Sequence, residues 1–591
     1  MKELSWEALV QAWSSGGAGP TGRPIAQLSF ALNHYFSGFH PWTYKLTNLL
    51  VHMLCGALVY AILREFLRKR EGENLSVARW LALAGTTLWL LHPLQLLPVL
   101  HVVQRMTSLS ALFLLLAFWL HMVARRHTGK MAIAWMLLAW GLAWPLSILS
   151  KETGLLLPLF VFIWELLLRR DQVGHLDTFG KAYVVAVTSV LVGGLIYLGL
   201  GGASWLWAGY DLRPFDATQR MLTEARALWF YVGLALVPRG SALGLYHDDF
   251  SISTGWFDPW TTAPAVLAWV GVLWLIWHLR RNSPLVAFGL SWFLVGHLLE
   301  STFLPLELVH EHRNYLPLLG LLLALISILV RWVEREVLQP RMLVGIALLA
   351  VLVYAVTTAL RAYQHGDELR RTLAEVQHHP DSARSRYNLG MVLANLPAAA
   401  QPGTMAHEMA NEHLQRASAL DPNFKMALLE MLGLACRSGQ GVDEAALAEL
   451  TTRLRHSLFA PGDRNVLFHL KETEVTGPYC LRREQVESIF RAALGNPKTG
   501  VAVQAMLHSW LADYLWLREK DLAAAKQALS ASLALNPREP SNRLKWAQLL
   551  WLGNDREEAR QLLLELRSTR LSSKERQTLE QLLAAGNIGK P

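Results

Sequence analysis

Residues 300–317 read Glu300-Ser301-Thr302-Phe303-Leu304-Pro305-Leu306-Glu307-Leu308-Val309-His310-Glu311-His312-Arg313-Asn314-Tyr315-Leu316-Pro317. Three glutamates, two histidines and an arginine stand between one apolar run and the next. Charge at a membrane boundary is costly, so a cluster placed there points to a polar or ionic ligand met at the bilayer surface. The flanking runs therefore decide the fold class: an all-α, polytopic membrane bundle.

Working outward, apolar segments near the length needed to cross a bilayer, about 20 residues, occur at 43–64, 80–99, 107–124, 131–149, 153–168, 182–202, 262–279, 284–305, 315–333 and 342–360. That gives about ten expected spans. The chain of 591 residues is 52% hydrophobic and 17% charged, well under the roughly one quarter charged that soluble domains carry. The polar residues concentrate after 360. Three parts are expected: a first external loop over 1–42, a transmembrane domain over 43–360 and a soluble helical domain over 361–591.

Loop charge sets the orientation. Arg64, Arg68, Lys69 and Arg70 follow the first span, Arg125, Arg126 and Lys130 the third, and Arg169 and Arg170 the fifth. Arg280 and Arg281 follow the seventh, and Arg331, Arg335 and Arg341 the ninth. Basic loops stay cytoplasmic, so the alternate loops and the tail are expected outside. The run Ala225 to Pro238 breaks the alternation unless it is a re-entrant or interface-lying helix. Met1 to Gly19 has no basic n-region and no apolar core of a signal peptide, and Glu3 and Glu7 are the only acids of the first loop. An additional helix upstream of Met1 is expected on that ground. Trp42, Trp80 and Trp260 fall near span ends and suit an interfacial aromatic belt.

The net charge of +9 is accounted for by cytoplasmic flanks, and no basic stripe on a soluble helix suggests nucleic acid. Neither a GxGxxG turn nor a Walker loop is present, so no nucleotide site is expected. Cys55, Cys436 and Cys480 form no CxxC pair, and no zinc motif or redox motif follows. Cys436 and Cys480 either pair in an oxidising compartment or remain two buried thiols. No cofactor is called for. His310-Glu311-His312 is too compact a run for a closed metal site; His247-Asp248-Asp249 on the long external loop either positions an acceptor or a metal or forms a solvated turn, so a divalent metal is possible but not indicated.

In the tail, Pro380-Asp381-Ser382-Ala383 precedes Tyr387-Asn388-Leu389-Gly390, and Ala417, Leu420 and Pro422 close the following helix. Ala524, Leu529, Ala531, Leu535 and Pro537 repeat that ending, and Trp546, Leu549, Leu550, Gly553, Ala559 and Leu562 mark another pair. Small and large residues alternating over about 34 positions are the tetratricopeptide pattern. It predicts an α-solenoid with a peptide-sized concave face. Residues 457–500 fit the period poorly and read equally as generic helical packing.

Taken in order, several short motifs resemble a known group. They are Arg23-Pro24, Leu28-Ser29-Phe30-Ala31-Leu32-Asn33, Tyr44-Lys45-Leu46-Thr47-Asn48-Leu49-Leu50-Val51-His52, His92-Pro93, Arg105, Ser150-Lys151-Glu152-Thr153-Gly154 and Glu311-His312-Arg313-Asn314-Tyr315. With the repeat tail behind them, they look like the transmembrane-and-tetratricopeptide O-mannosyltransferases of the GT-C glycosyltransferases, in a bacterial-type member. The resemblance implies a polyprenyl-phosphate sugar donor and transfer on the external face to a protein hydroxyl, with an exported protein such as a pilin as acceptor. It also implies an inner-membrane protein with a periplasmic tail. Two departures stand out. The family's acidic pair in the first loop has no counterpart here, so the catalytic base is expected upstream of this chain. Leu97 replaces the glutamate that animal members carry between His92 and Arg105.

A lipid phosphate at the bilayer surface needs cations, and Arg105, Lys151 and Arg313 fall on external boundaries as its expected ligands. Glu311 and Asp248 are the carboxylates expected at the reacting centre. Arg23, His247, Glu300, Glu307, His312 and Asn314 complete the expected rim. Lys151 has an alternative reading as a partner of Glu152. His297 and Glu300 share a helical face, either lining a polar cavity or pairing with each other, and His52 and His92 read as satisfied core histidines. Two other functions compete: a non-catalytic membrane scaffold that recruits partners through its repeats, and an O-antigen ligase or oligosaccharyltransferase.

Overall fold

The computed structural model describes residues 4–67, 75–169, 175–202, 204–476, 480–569 and 571–587. Glu3, Arg68, Lys69, Arg70 and Arg170, cited above for charge and topology, lie outside the described residues. Every element among the described residues is helical. The chain divides into two compact units, 1–210 with 215–379, and 211–214 with 380–591.

Among the described residues of the first unit, six helices are long and apolar enough to cross a membrane: Pro41–Leu67, Val102–Ala124, Gly129–Ser150, Thr178–Gly199, Thr262–Asn282 and Pro340–Gln364. A seventh span arises if Ala78–Leu91 and Pro93–Leu100, bent by 54°, count as one. Ten spans were expected, and the difference has local causes. Residues 152–169 break into a 3-10 turn, an α-helix over Leu157–Trp164 and a π-helical end. The run at 284–305 is helical only over Pro284–His297, and that at 315–333 only over Leu318–Glu334. Apolar content marked these segments as buried, but burial here is partly against protein. The apolar window of Val102–Ala124 is 72% buried inside the bundle, whereas those of Thr178–Gly199, Thr262–Asn282 and Pro340–Gln364 are 6% buried. A helix apolar all round with its surface uncovered is suited to lipid.

The bundle's core is aromatic. Trp292 stacks on Phe160 at 4.0 Å and meets Phe118 edge-on at 5.3 Å, and Phe66 meets Phe288 at 5.1 Å. Such offset and edge contacts add to area burial. Pro284–His297 and Leu318–Glu334 touch backbone to backbone through Gly289 and Gly320: a Cβ on Gly289 would meet the Gly320 carbonyl oxygen at 2.5 Å. Small residues allow that approach. The core histidines are satisfied as expected. His52 bonds the Tyr315 hydroxyl at 2.8 Å and the Leu90 carbonyl at 3.1 Å, and His92 bonds the Ala235 carbonyl at 3.0 Å. Trp42, Trp80 and Trp260 are exposed. The run Ala225 to Pro238 belongs to one helix, Ala217–Leu236. The last helix of this unit, Glu368–His378, lies beyond the expected boundary at 361.

The second unit is a tetratricopeptide-like solenoid. Its helices run Ala383–Ala394, Met405–Leu420, Met426–Arg437, Glu444–His456, Pro461–Thr476, Arg483–Leu494, Val501–Leu517, Leu522–Leu535, Pro540–Leu552, Arg556–Arg567 and Ser573–Asn587. Gly390 packs against Leu414 and Ala410 of the following helix, the small-on-large seam expected of the repeat. Pro397–Ala400 forms the short 3-10 insertion between the first two helices. Cys436 and Cys480 are joined in a disulfide with Cα atoms 5.3 Å apart, which resolves the two thiol readings in favour of pairing. Cys55 remains a buried free thiol.

Candidate functional site

The segment after His297 is irregular up to the 3-10 turn Glu311–Asn314. Its carbonyls are exposed to donors, and two arginines use them. Asp216 caps Ala217–Leu236 through a reciprocal box with Gln219, which fixes the first turns and sets Arg220 and Glu224 on one face. Arg220 is fully buried and donates to the carbonyls of Glu300 at 2.8 Å, Thr302 at 2.8 Å and Leu306. Its guanidinium also pairs with Glu224 at 2.8 Å. From the other side Arg313 donates to the Leu308 carbonyl at 2.6 Å and to that of Glu307, and stands 3.5 Å from Glu224. Glu224 thus lies between two arginines. Burial outweighs both cations and pushes its carboxyl up to about 7.

Lys151 comes to the same place from the turn after Trp144–Ser150. Its Nζ is 2.7 Å from Glu300 Oε1 and donates to Thr107 Oγ1 at 3.1 Å. Burial alone would raise the Glu300 carboxyl, but Lys151 and Arg313 together hold it at about 2. Glu300 is therefore an anion at neutral pH. A small cleft is lined by Thr107, Ser110, Thr153, Glu300, His312 and Arg313. His312 is kept neutral, its pKa driven well below the ordinary value by burial and by Lys151 and His310.

The alternative Lys151–Glu152 pair does not form. Glu152 takes Arg23 instead, with Nη2 to Oε2 at 2.8 Å and Nε to the same oxygen at 3.1 Å. Arg23 is therefore a clamp between the first loop and the 151–156 turn. Arg105 is wholly buried: Nε donates to Asn48 Oδ1 at 2.7 Å, Nη1 to the Ser29 carbonyl at 3.1 Å and Nη2 to the Tyr44 carbonyl at 3.0 Å. Each of its nitrogens donates inside the fold, tying helix Pro24–Ser37 to helix Pro41–Leu67.

Glu311 sits in a separate buried cluster. Its oxygens accept from Arg361 Nη1 at 3.0 Å and from the Gly244 backbone N–H at 2.6 Å, and His247 Nε2 is 3.5 Å away. Burial would raise this carboxyl, but Arg361 and His247 hold it below its ordinary value. Asn314 donates to the Glu311 carbonyl at 3.2 Å. Glu307 pairs with His310 at 2.9 Å. Asp248 is exposed. His297 does not pair with Glu300; it stacks on Tyr231 at 5.3 Å with Nδ1 3.3 Å from Ser301 Oγ.

Of the sequence candidates, the structure brings Lys151, Glu300, His312 and Arg313 together. Glu311 and His247 meet nearby, and Arg23 and Arg105 bind other parts of the first unit. Four charged residues were missed: Arg220, Glu224, Arg361 and His379. Glu224 had a usable signal, a carboxylate opening an otherwise apolar run one turn from an arginine.

No family model matches the chain. Among curated proteins, the mouse protein O-mannosyl-transferase TMTC4 is 24% identical over 423 residues, covering 63% of this chain and 56% of that protein. Mouse protein O-mannosyl-transferase TMTC2 is 31% identical over 150 residues, covering 25% of this chain and 16% of that protein. The Xenopus laevis tmtc2 protein is 27% identical over 230 residues, covering 38% and 26%. Yeast Tom70, a solved structure, aligns over 89% of this chain and 96% of its own at 13% identity with a TM-score of 0.25. The matched part of this chain spans little more than half the length of the first of these relatives, and the chain is similar in sequence to vertebrate protein O-mannosyl-transferases.

Proposed function

We propose that this protein is a multi-pass membrane glycosyltransferase of the O-mannosyltransferase-like group, moving a sugar from a polyprenyl-phosphate to a hydroxyl of an exported protein. The observation that carries the reading is that Glu300 and Arg313 line one cleft while Lys151 reaches Glu300 from a separate segment. A buried ammonium held by a single carboxylate is a pre-placed phosphate ligand: the donor's phosphodiester brings one negative charge to it, and the second charge that develops as the lipid phosphate leaves strengthens the contact. Arg313 adds a second, planar cation at the same rim.

In the reaction the acceptor oxygen attacks the anomeric carbon and the bond from that carbon to the phosphate oxygen breaks. The lipid phosphate leaves with the electron pair, stabilised by Lys151 and Arg313. The hydroxyl proton passes to a carboxylate. Asp248 and Glu311 are the sequence candidates, and Glu224 joins them because its carboxyl is held nearest neutrality. Inversion at the sugar carbon is proposed by family analogy. The repeat unit is proposed to hold the acceptor polypeptide, and its disulfide favours an oxidising compartment, in a bacterium the periplasm beside the inner membrane.

The test is transfer from polyprenyl-phosphate mannose to a Ser/Thr-rich peptide by the purified chain in detergent. Lys151→Met and Arg313→Met, checked for intact helicity, are expected to lower transfer by about 100-fold or more. Unchanged transfer in both removes the site assignment. Peptide binding without transfer by the parent chain favours the scaffold, and transfer only from a lipid diphosphate favours the ligase.

A further inference from the structure

Outside the cleft, three side chains from distant parts of the first unit converge. His247 and Asp249 lie on the irregular segment after Ala217–Leu236, and His379 follows Glu368–His378. Each of the three offers one ligand atom within 4.8 Å of the others. His379 Nδ1 and Asp249 Oδ2 are 2.9 Å apart, close to the separation of two ligands on one ion. The His247 and His379 rings stand 5.0 Å apart and nearly perpendicular.

The second observation concerns polar atoms. His247 is 7% exposed and His379 is 6% exposed. The Nε2 atom of each is buried and has no hydrogen-bond partner among the described residues. The nearest carboxylate to His247 Nε2 is Glu311, at 3.5 Å. A buried imidazole nitrogen without a hydrogen bond is unfavourable, and a divalent ion at His247 Nε2 removes that penalty; His379 meets Asp249 through Nδ1, so its Nε2 is not the ligand atom. The supporting contacts resemble those that orient metal ligands. Leu245 N–H donates to Glu375 at 3.0 Å, and Gly244 N–H donates to Glu311 at 2.6 Å, so the strand of chain carrying His247 is fixed on both carboxylates. A Cβ at Gly244 would come within 2.6 Å of His379 Nε2, so the chain must be bare there.

We propose that His247, Asp249 and His379 bind a divalent transition ion of the zinc class, clipping the 243–250 segment to the end of Glu368–His378. Two imidazoles and one carboxylate match the ligand preferences of zinc, with a fourth position for water or for Glu311. The exposed Asp249 supplies the freedom to close the ligands to about 2.1 Å from the ion. The three ligands lie outside the cleft lined by Glu300, His312 and Arg313.

The full chain, purified in detergent without a polyhistidine tag, is dialysed against zinc and then against buffer, and its metal is measured by mass spectrometry. About one zinc per chain is expected, with a Tm raised by about 4 °C on zinc addition. His379→Gln and Asp249→Asn are expected to lose both the retained ion and the Tm response, while His378→Gln, next in sequence but outside the cluster, keeps them. No zinc retained by the parent chain overturns the proposal, as does equal retention in the His379→Gln, Asp249→Asn double variant with native helicity. The Tm measured without metal separates a misfolded variant from a folded one that has lost its ligands.

Discussion

Lys151 Nζ and Glu300 Oε1 are 2.7 Å apart, and the ammonium also donates to Thr107 Oγ1 at 3.1 Å. The pair joins the turn after Trp144–Ser150 to the irregular segment after His297. Its pH dependence follows from the carboxyl's depressed value. The group falls from 4.5 to about 2 on folding, so its contribution is complete above the unfolded value and is lost as pH falls toward 2. The contribution is on the order of 3 kcal/mol at neutral pH. Glu300→Gln is therefore expected to flatten the acid side of the stability curve. Melting temperatures of both proteins across that range test it, and parallel curves would refute it.

Glu224 predicts the opposite slope. Its carboxyl is raised to about 7 on folding, chiefly by burial. The folded state then holds a proton that the unfolded chain has released, so stability falls as pH rises from the unfolded value toward 7. Glu224→Gln removes that decline and is expected to be the more stable protein at pH 8, by on the order of 3 kcal/mol. A variant less stable than the parent across the whole range would mean that the carboxyl is ionised and paired.

Arg220 is the complementary case. It donates to carbonyls of Glu300, Thr302 and Leu306 while pairing with Glu224. Arg220→Met leaves those carbonyls and that carboxyl without the cation, and removal of one member of a buried ion pair costs about 3–5 kcal/mol. The double variant Arg220→Met, Glu224→Gln is expected to recover part of the loss, and strict additivity of the two would argue against coupling. Chemical denaturation in mixed micelles supplies the free energies.

These relationships explain how far the sequence could be read. The all-helical membrane bundle and the repeat tail were legible because each rests on local periodicity, and the helix ends of the solenoid repeat the same small residues. Lys151, Glu300, His312 and Arg313 were legible as a boundary cluster because charge beside apolar runs is conspicuous. Span number was less legible, since Leu157–Trp164 and Pro284–His297 are as apolar as the longer helices but are cut short by turns on either side. Partners were the least legible. Lys151 had an alternative reading as the partner of its neighbour Glu152, yet Glu152 takes Arg23 and Lys151 takes Glu300. Arg361 and His379 sit on helix ends like many surface residues, and only the fold sets them beside Glu311 and Asp249.

The contact between Gly289 and Gly320 makes a packing prediction. A Cβ on Gly320 would meet the Gly289 carbonyl oxygen and, at 2.8 Å, the Phe293 nitrogen. These are backbone atoms that cannot rotate away, so Gly320→Val forces the helices apart and costs about 1–3 kcal/mol or more. Gly345, on Pro340–Gln364, has nothing within 4 Å of a built Cβ, and Gly345→Val is the neutral control. Equal melting temperatures for the two variants would contradict the close approach.

The Cys436–Cys480 disulfide gives the last prediction, because it bears on both stability and compartment. It closes a sequence separation of 44 residues, for which chain-entropy arguments give about 4 kcal/mol of stabilisation of the repeat unit. Reductant, or the Cys436→Ser, Cys480→Ser variant, is expected to lower the tail's unfolding midpoint and to leave the first unit's helicity intact, since Cys55 is buried and unpaired. The compartment is read by counting thiols. Protein denatured without reductant from its native membrane should label at Cys55 alone, and after reduction at all three positions. A persistent disulfide requires an oxidising environment, so this outcome puts the tail on the side where an exported acceptor is met. Three thiols labelled before reduction would place the tail in a reducing compartment and remove that support for the external-face reading.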